Sequence, residues 1–241
     1  MTLSRQTLTV IVLFFLSAGC KNHSEKSAPK NTTSHTSNAP QTSIIGSWSG
    51  MLGNNKITLF IERMDNGEIS GYSVCAGNDR PFKGTYTETE TGMNATLKEP
   101  GDNKYDGTFD MAISKSPLQI EGKWTPIDPE KQPRQYSLSR KNFKYDTAAG
   151  NYTEASTRLL TTDDVENLYK EDLRYMRNEI YARHGYSFKL VEVRSMFDDK
   201  DWYMPVSTDV RKRLTAIELK NEQLIKHYEK YAETSYDDFG R

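Results

Sequence analysis

Apolar residues near the C-terminus recur at helical spacing and stop at a glycine. Leu173, Met176 and Ile180 occupy positions i, i+3 and i+7, the spacing of a buried stripe on one face of a helix. Gly185 follows the stripe, where a positive φ ends a helix and a side chain would clash. The pattern predicts a helix that ends at this glycine, with Tyr186 packed back on the last turn.

Polar residues mark two further helix starts. Thr161 with Asp164 predicts one, and Thr215 with Glu218 predicts a capping box, in which each side chain bonds the backbone of the other residue. Apolar residues flank both starts at the spacing of a hydrophobic staple: Leu160 with Val165, and Leu214 with Leu219. The C-terminal part of the chain therefore reads as a small all-α domain.

The last predicted helix carries one polar residue inside its apolar face. The face consists of Ile217, Leu224, Tyr228 and Tyr231, and Asn221 interrupts it. A buried amide without partners would cost about 1–3 kcal/mol. We therefore expect Asn221 to bond across to the backbone or to Asn178, in a structural role.

Residues 44–143 alternate between polar and apolar positions instead. A glycine followed by an aromatic residue two places later recurs at four sites: Gly46/Trp48, Gly84/Tyr86, Gly107/Phe109 and Gly122/Trp124. Turn signals such as Asp65-Asn66-Gly67 separate the alternating runs. The pattern predicts an antiparallel meander, closed as a barrel or packed as a sandwich. The fold class expected for the whole chain is α+β with two domains.

The N-terminus has the features of an export signal. Arg5 precedes an apolar run from Leu8 to Leu16, which is too short to span a bilayer, and small residues then lead to Cys20. This ending resembles a bacterial lipobox, in which Cys20 is acylated after cleavage. Ser17 stands three places before the cysteine, so cleavage after Gly19 without acylation is the alternative, and Cys20 would then be able to pair with Cys75.

Composition sets the expected boundaries. Residues 20–43 are rich in Ser, Thr, Asn, Lys and Pro, and such a segment buries too little apolar surface to offset its ordering entropy. We therefore expect a signal peptide (1–19), a flexible tether (20–43), the β domain (44–145), the helical domain (152–232) and a tail (233–241).

The pentapeptide Tyr181-Ala-Arg-His-Gly185 carries a family resemblance. This part of the chain resembles the YARHG domain, a short module of bacterial extracytoplasmic proteins. The resemblance continues through Arg177 to Ile180, Phe188, Phe197, Trp202-Tyr203, Pro205, Leu214, Glu218 and Asn221. It implies an exported, modular protein with a cell-wall or other envelope ligand, and it implies no catalytic residues.

The opening Gly46-Ser47-Trp48 resembles the start of small lipocalin-like barrels. Two interpretations of the interior follow. Trp48 and Trp124 either fill the core, or they line a ligand cavity together with Tyr86. The second interpretation makes the β domain a carrier of a small apolar ligand; an inhibitor of an envelope-attacking enzyme is a related alternative.

The chain offers few groups for catalysis. Its four histidines and two cysteines show no metal-ligand spacing, and no nucleophile motif or phosphate loop is present, so we expect neither an enzyme nor a cofactor or metal. The remaining enzymatic interpretation places His184 beside a carboxylate from Asp198 to Asp201. With 32 basic against 33 acidic residues, nucleic acid is not an expected partner.

The leading hypothesis is a non-catalytic, membrane-anchored envelope lipoprotein that faces the periplasm or the cell surface. Its expected partners are an envelope component, namely peptidoglycan, another glycan or a protein, and the membrane through the lipid on Cys20. The ligand-binding residues predicted from the helix end and the aromatic pair are Tyr181, Arg183, His184, Trp202 and Tyr203. The sequence leaves the oligomeric state open.

Overall fold

The computed structural model of the protein describes residues 44–232, and eight consecutive strands occupy its first half. The strands are β1 (Gly46–Leu52), β2 (Asn55–Asp65), β3 (Glu68–Cys75), β4 (Asn78–Glu88), β5 (Gly92–Lys98), β6 (Gly107–Lys115), β7 (Leu118–Pro126) and β8 (Arg134–Arg140). Each strand pairs antiparallel with the next, and β8 returns to pair with β1. The predicted meander is therefore a closed barrel and not a sandwich.

The predictions for the export signal, the tether and the tail fall outside the described residues. The same is true of Cys20, so the acylation of this residue and its pairing with Cys75 stay predictions. Cys75 itself ends β3, as expected, and burial raises the pKa of its thiol to about 12.

The recurring glycine and aromatic pairs build the barrel interior. Their aromatic members all lie in one buried cluster: Trp48, Tyr86, Phe109 and Trp124. The glycines have a separate role, because a Cβ on Gly84 would lie 1.8 Å from the carbonyl oxygen of Thr96 on the neighbouring strand. Only glycine allows the two backbones to approach this closely where the sheet bends.

The turn signal between β2 and β3 forms the predicted hairpin. Asn66 has a φ of 50° and Gly67 a φ of 81°. Two consecutive positive φ angles define the two-residue turn whose twist matches that of paired strands.

Helices occupy the second half of the described chain. They are α1 (Glu154–Thr157), α2 (Lys170–Arg183), α3 (Val191–Arg194) and α4 (Ala216–Tyr231). Thr161 and Asp164 form their capping box, but the element that follows is a single 3-10 turn, Thr162–Asp164. The apolar residues that pack between α2 and α4 form one core, and a second core rich in aromatic residues lies around Phe197.

The start of α4 confirms one prediction and corrects another. Thr215 and Glu218 form the capping box. Leu219, however, is 45% exposed and does not staple this start, and Tyr231 at the other end is 69% exposed. The most deeply buried residues of α4 are three polar ones and one apolar one: Glu218, Asn221, Glu222 and Ile225. The buried face is thus rotated from the predicted stripe, because polar contacts with other segments determine it.

Asn221 makes the backbone contacts that its position requires. Its Nδ2 donates to the carbonyl oxygens of Ala155 at 2.9 Å and Arg158 at 2.7 Å, and its Oδ1 accepts from the Leu160 N–H at 2.9 Å. The predicted structural role is confirmed, with backbone partners and not Asn178. This one side chain ties α4 to the segment after α1.

The barrel and the helical domain lie within one compact unit of the chain and contact each other directly. The Gly77 N–H donates to Ser187 Oγ at 2.9 Å, and Arg194 Nε donates to Asn55 Oδ1 at 3.0 Å. Two barrel lysines, Lys56 and Lys141, donate to the carbonyl oxygens of Lys200 and Asp201. The helical domain is therefore attached to the barrel by polar contacts of its residues 187–201.

Candidate functional site

The end of α2 has the geometry that the sequence predicts. Gly185 has a φ of 75°, its N–H donates to Ala182 O at 2.9 Å, and the Tyr186 N–H donates to Tyr181 O at 3.1 Å. These are the two bonds of a glycine-terminated helix. The rings of Tyr181 and Tyr186 lie 6.0 Å apart, so the expected contact across the stop is confirmed.

The Arg183 side chain points into the protein. Its Nη2 donates to Glu179 Oε2 at 2.7 Å, its Nε to Ala149 O at 2.7 Å and its Nη1 to Ser156 Oγ at 3.0 Å. Both members of the Arg183–Glu179 pair are fully buried. Glu179 also accepts the N–H groups of residues 151 and 152, so the pair fastens the segment entering the domain to α2.

The His184 ring is held between a tyrosine and a carboxylate. It stacks on Tyr145 with centroids 4.4 Å apart, and its Nε2 lies 2.8 Å from Glu218 Oε2. Glu218 also accepts from Ser156 Oγ at 2.7 Å and from the Thr215 N–H at 2.8 Å. Burial acts to raise the pKa of Glu218, but these hydrogen bonds outweigh it and hold the pKa at about 2. The carboxylate is therefore ionised, and Nε2 donates to it.

The order of Ser156, Glu218 and His184 differs from that of a catalytic triad. A serine hydrolase needs the imidazole between serine and carboxylate, so that the imidazole takes the serine proton. Here the Glu218 carboxylate lies between Ser156 and His184, and the Ser156 hydroxyl donates to the carboxylate. The arrangement cross-links helices, and the hydrogen-bond acceptor of the Ser156 hydroxyl is Glu218 and not the imidazole.

None of the carboxylates of Asp198, Asp199 and Asp201 is the hydrogen-bond partner of His184. Asp198 is buried and accepts the Lys56 backbone N–H, while Asp199 and Asp201 are exposed. Burial raises the pKa of Asp198 to about 6. The carboxylate that His184 contacts is Glu218, so the predicted pairing with this loop is wrong.

The predicted aromatic pair divides between the core and the surface. Tyr203 is 1% exposed and its hydroxyl donates to Tyr186 O at 2.7 Å. Trp202 is half-buried, with its ring edge-on to Phe197 at 6.1 Å. Burial raises the pKa of Tyr203 well above its ordinary value, so its phenol is a fixed neutral donor.

Three of the five residues proposed for ligand contact are therefore interior. Arg183, His184 and Tyr203 are 2%, 4% and 1% exposed. Their predicted exposure is wrong, because buried carboxylates and carbonyl oxygens from distant segments satisfy their polar atoms. Tyr181 and Trp202 remain partly exposed, and their ligand contact stays a prediction.

Tyr181 lines an open groove on the helical domain. The groove has a volume of about 550 Å³, within the range of about 300–1,000 Å³ that small-ligand sites occupy. Its walls come from α2, from the segment after Gly185 and from the loop before α4. The side chains that line it on these walls include Arg174, Arg177, Tyr181, Tyr186, Phe188, Lys189, Leu190, Asp209 and Arg211.

Two arginines of the groove are held by carboxylates. Arg177 donates to both oxygens of Glu229, at 2.6 and 3.1 Å, in a mostly buried pair. Arg211 donates to both oxygens of Asp209, at 3.1 Å each, in a pair whose side chains are 79% and 54% exposed. The first pair fixes the position of its guanidinium, while the second is open to solvent.

Most residues of this groove were not predicted from the sequence. The signal was present, since Arg174, Arg177 and Tyr181 stand at i, i+3 and i+7 and therefore share one face of α2. Lys189 and Arg211 lie on other segments, and no spacing rule connects them to α2. Their convergence is a property of the tertiary structure alone.

The barrel interior agrees with the first of the two interpretations, in which the tryptophans fill the core. Trp48, Tyr86 and Trp124 belong to the packed core of residues 44–138. One cavity of about 150 Å³ lies at a barrel end, where Trp124 meets polar side chains. Glu99, buried there, accepts from the Trp124 Nε1–H at 3.1 Å and the Gly107 N–H at 2.7 Å. The cavity is small and contains a buried carboxylate, so it leaves little room for an apolar guest.

The fold and the groove together define an eight-stranded antiparallel barrel joined to a small helical domain with a basic, aromatic surface cleft. Residues 150–230 match the family model of the YARHG domain, so the resemblance drawn from the pentapeptide is confirmed for this third of the chain. No curated protein and no solved structure matches the chain.

Two further observations concern the part of the chain that the structure describes. None of its helices has the length and apolar composition of a membrane span. Between residues 44 and 232, no three His, Cys, Asp or Glu side chains are grouped so as to hold a metal ion.

Proposed function

We propose that the protein is a non-catalytic envelope lipoprotein whose helical domain binds a cell-wall or other envelope component. The groove lined by Tyr181 carries this proposal. It is open, it combines aromatic and basic side chains, and it lies on a scaffold made rigid by the buried bonds of Arg183, His184 and Asn221. Rigid support is what a binding site requires, because it lowers the entropy lost on association.

Absence of catalysis is part of the proposal. It is supported by the hydrogen bonds of the domain's buried polar side chains, which act on one another. Ser156, Arg183 and His184 all converge on two carboxylates, Glu179 and Glu218. Polar side chains that are hydrogen-bonded to one another in this way are not available to contact a substrate.

We also propose anchoring through Cys20. The lipobox-like ending and the exported location that a YARHG domain suggests support it. Mass spectrometry of the mature N-terminus tests it. We expect a diacylglyceryl-modified Cys20 as the first residue. An unmodified Cys20, or one in a disulfide with Cys75, would refute the anchor and leave the binding proposal intact.

Sedimentation with purified cell wall and with envelope fragments tests binding by the full chain. The variant combines Lys189→Glu and Arg211→Glu, two side chains that line the groove and lie at its solvent side. Lys220→Glu, a single charge reversal on the exposed side of α4, is the control for charge reversal outside the groove. We expect the native chain and the control to sediment with envelope material, and the variant to stay in solution.

Heat-denatured protein gives the background level in that experiment. Equal sedimentation of native and denatured chain would refute the proposed function. Equal sedimentation of the variant and Lys220→Glu would show that the groove is not the site.

A further inference from the structure

The charge of the groove differs from that of the whole chain. The chain has a formal net charge of −1, but four basic side chains line the groove (Arg174, Arg177, Lys189 and Arg211). Asp209 is the acidic member of the same lining. A concave surface with an excess of one sign concentrates the field and favours ligands of the opposite charge.

A ligand anion can replace Asp209 as the ion-pair partner of Arg211. Exposed ion pairs contribute little to stability because water and salt screen their charges, and this pair is largely exposed. Arg211 presents its Nε and Nη2 groups side by side to the two Asp209 oxygens. A phosphate or carboxylate of a ligand offers the same two-oxygen geometry. Displacing the Asp209 carboxylate from Arg211 would therefore cost the protein little stability.

The aromatic wall adds an apolar contact surface beside these charges. Tyr186 lies edge-to-face on Phe188 with centroids 4.9 Å apart, and it also contacts Tyr181. Burial and the nearby Glu222 raise the pKa of Tyr181 to about 12, so the phenol stays neutral. Rigid aromatic faces beside guanidinium groups provide stacking and forked hydrogen bonds to the same ligand.

From this combination we propose that the groove binds an anionic glycan, a sugar chain that carries carboxylate or phosphate groups. Sugar rings lie against Tyr181 and Tyr186, while their acidic groups contact Lys189 and Arg211. This inference rests on the proposed function and names the ligand class of the same site.

Two common modes of peptide binding are not offered by the described residues. An extended peptide can bind by adding a strand to a free sheet edge, and every strand of the closed barrel is paired on both sides. An amphipathic helix needs a continuous apolar stripe, whereas basic side chains interrupt the apolar lining here.

Calorimetric titration of the full chain with four probes tests the inference. The probes are tetragalacturonate, the neutral N-acetylglucosamine tetramer, inorganic polyphosphate and a tetraglutamate peptide. We expect tetragalacturonate to bind more tightly than the other three. The affinity should fall as salt rises to about 0.3 M, because exposed charges are screened over less than about 10 Å there.

The Lys189→Glu, Arg211→Glu variant should weaken tetragalacturonate binding by about tenfold or more, equivalent to about 1.4 kcal/mol. Lys220→Glu should leave it within about twofold, because surface changes away from a site have small effects. Thermal unfolding of both variants establishes that they are folded.

Three results would overturn the inference. They are binding of the neutral tetramer as tight as that of tetragalacturonate, equal or tighter binding of polyphosphate or tetraglutamate, and equal losses in the variant and Lys220→Glu. If all four probes fail to bind while the chain still sediments with cell wall through its groove, the ligand class is wrong and the proposed function stands.

Discussion

The imidazole Nε2 of His184 lies 2.8 Å from Oε2 of Glu218, the same residue that caps the start of α4. One carboxylate thus joins the end of α2 to the beginning of α4. Together with the buried Arg183–Glu179 pair, this contact gives the pentapeptide a structural role: Arg183 and His184 fasten the domain from inside. The surface available for binding lies beside them, at Tyr181.

Replacing Gly185 by alanine should destabilise the helical domain. The residue has a φ of +75°, and a Cβ there would lie 2.5 Å from Val206 Cγ2 and 2.9 Å from Met204 O. We expect a loss of about 2–4 kcal/mol in the free energy of unfolding by urea, since strain and a steric clash add. Gly67→Ala is the matched control, with a φ of +81° and its nearest neighbour at 3.8 Å. Equal losses for both would refute the role of the clash.

Replacing Arg183 by methionine should be more costly than removing the whole ion pair. The single change leaves Glu179 buried without its partner, and breaking such pairs costs about 3–5 kcal/mol. The double variant Arg183→Met, Glu179→Met removes both charges, so we expect it to regain part of that loss. Urea unfolding of both variants measures the difference. A double variant less stable than the single one would contradict this account; Arg213→Met, on an exposed turn, gives the baseline.

Stability should fall in acid through Glu218. Its folded-state pKa of about 2 lies below the ordinary value of 4.5, so the unfolded chain binds the proton more tightly. The stabilisation is therefore complete above about pH 4.5 and is lost as the pH falls towards 2. We expect the free energy of unfolding of Glu218→Gln to change less between pH 6 and pH 3 than that of the native chain. Glu192→Gln, an exposed change, should preserve the native slope.

Asp198 should change the pH dependence of stability in the opposite direction. Burial raises its pKa from 3.8 to about 6, so the folded protein retains a proton that the unfolded chain has released. Its contribution to stability is greatest below about pH 4, declines as the pH rises to 6, and stays unfavourable above that. We expect Asp198→Asn to be more stable than the native chain at pH 8, by at most about 3 kcal/mol, and nearly equal to it at pH 4.

The neighbouring exposed residue supplies the control for that measurement. Asp199→Asn removes one charge from the same loop without changing a buried group. A stability difference for Asp198→Asn that is the same at pH 4 and pH 8, or is matched by Asp199→Asn, would argue against the desolvation of Asp198.

Local features of this protein were readable from its sequence. The stop at Gly185, the capping box at Thr215, the Asn66-Gly67 turn and the inward aromatic residues of the barrel all depend on contacts between residues close in the chain or on strand alternation. Backbone conformation and side-chain periodicity determine such features directly. The backbone partners of Asn221 were one of the two kinds predicted, because a buried amide has few alternatives to the backbone.

Only tertiary packing decided which polar side chains are exposed and which are buried. Arg183 and His184 end an amphipathic helix, where sequence favours a solvated position, but Glu179, Glu218 and Ser156 draw them into the core. The groove arose in the same way, since Lys189 and Arg211 reach Tyr181 from separate segments. Burial of a charge is settled by the sum of desolvation and pairing over distant residues, and no local pattern encodes that sum.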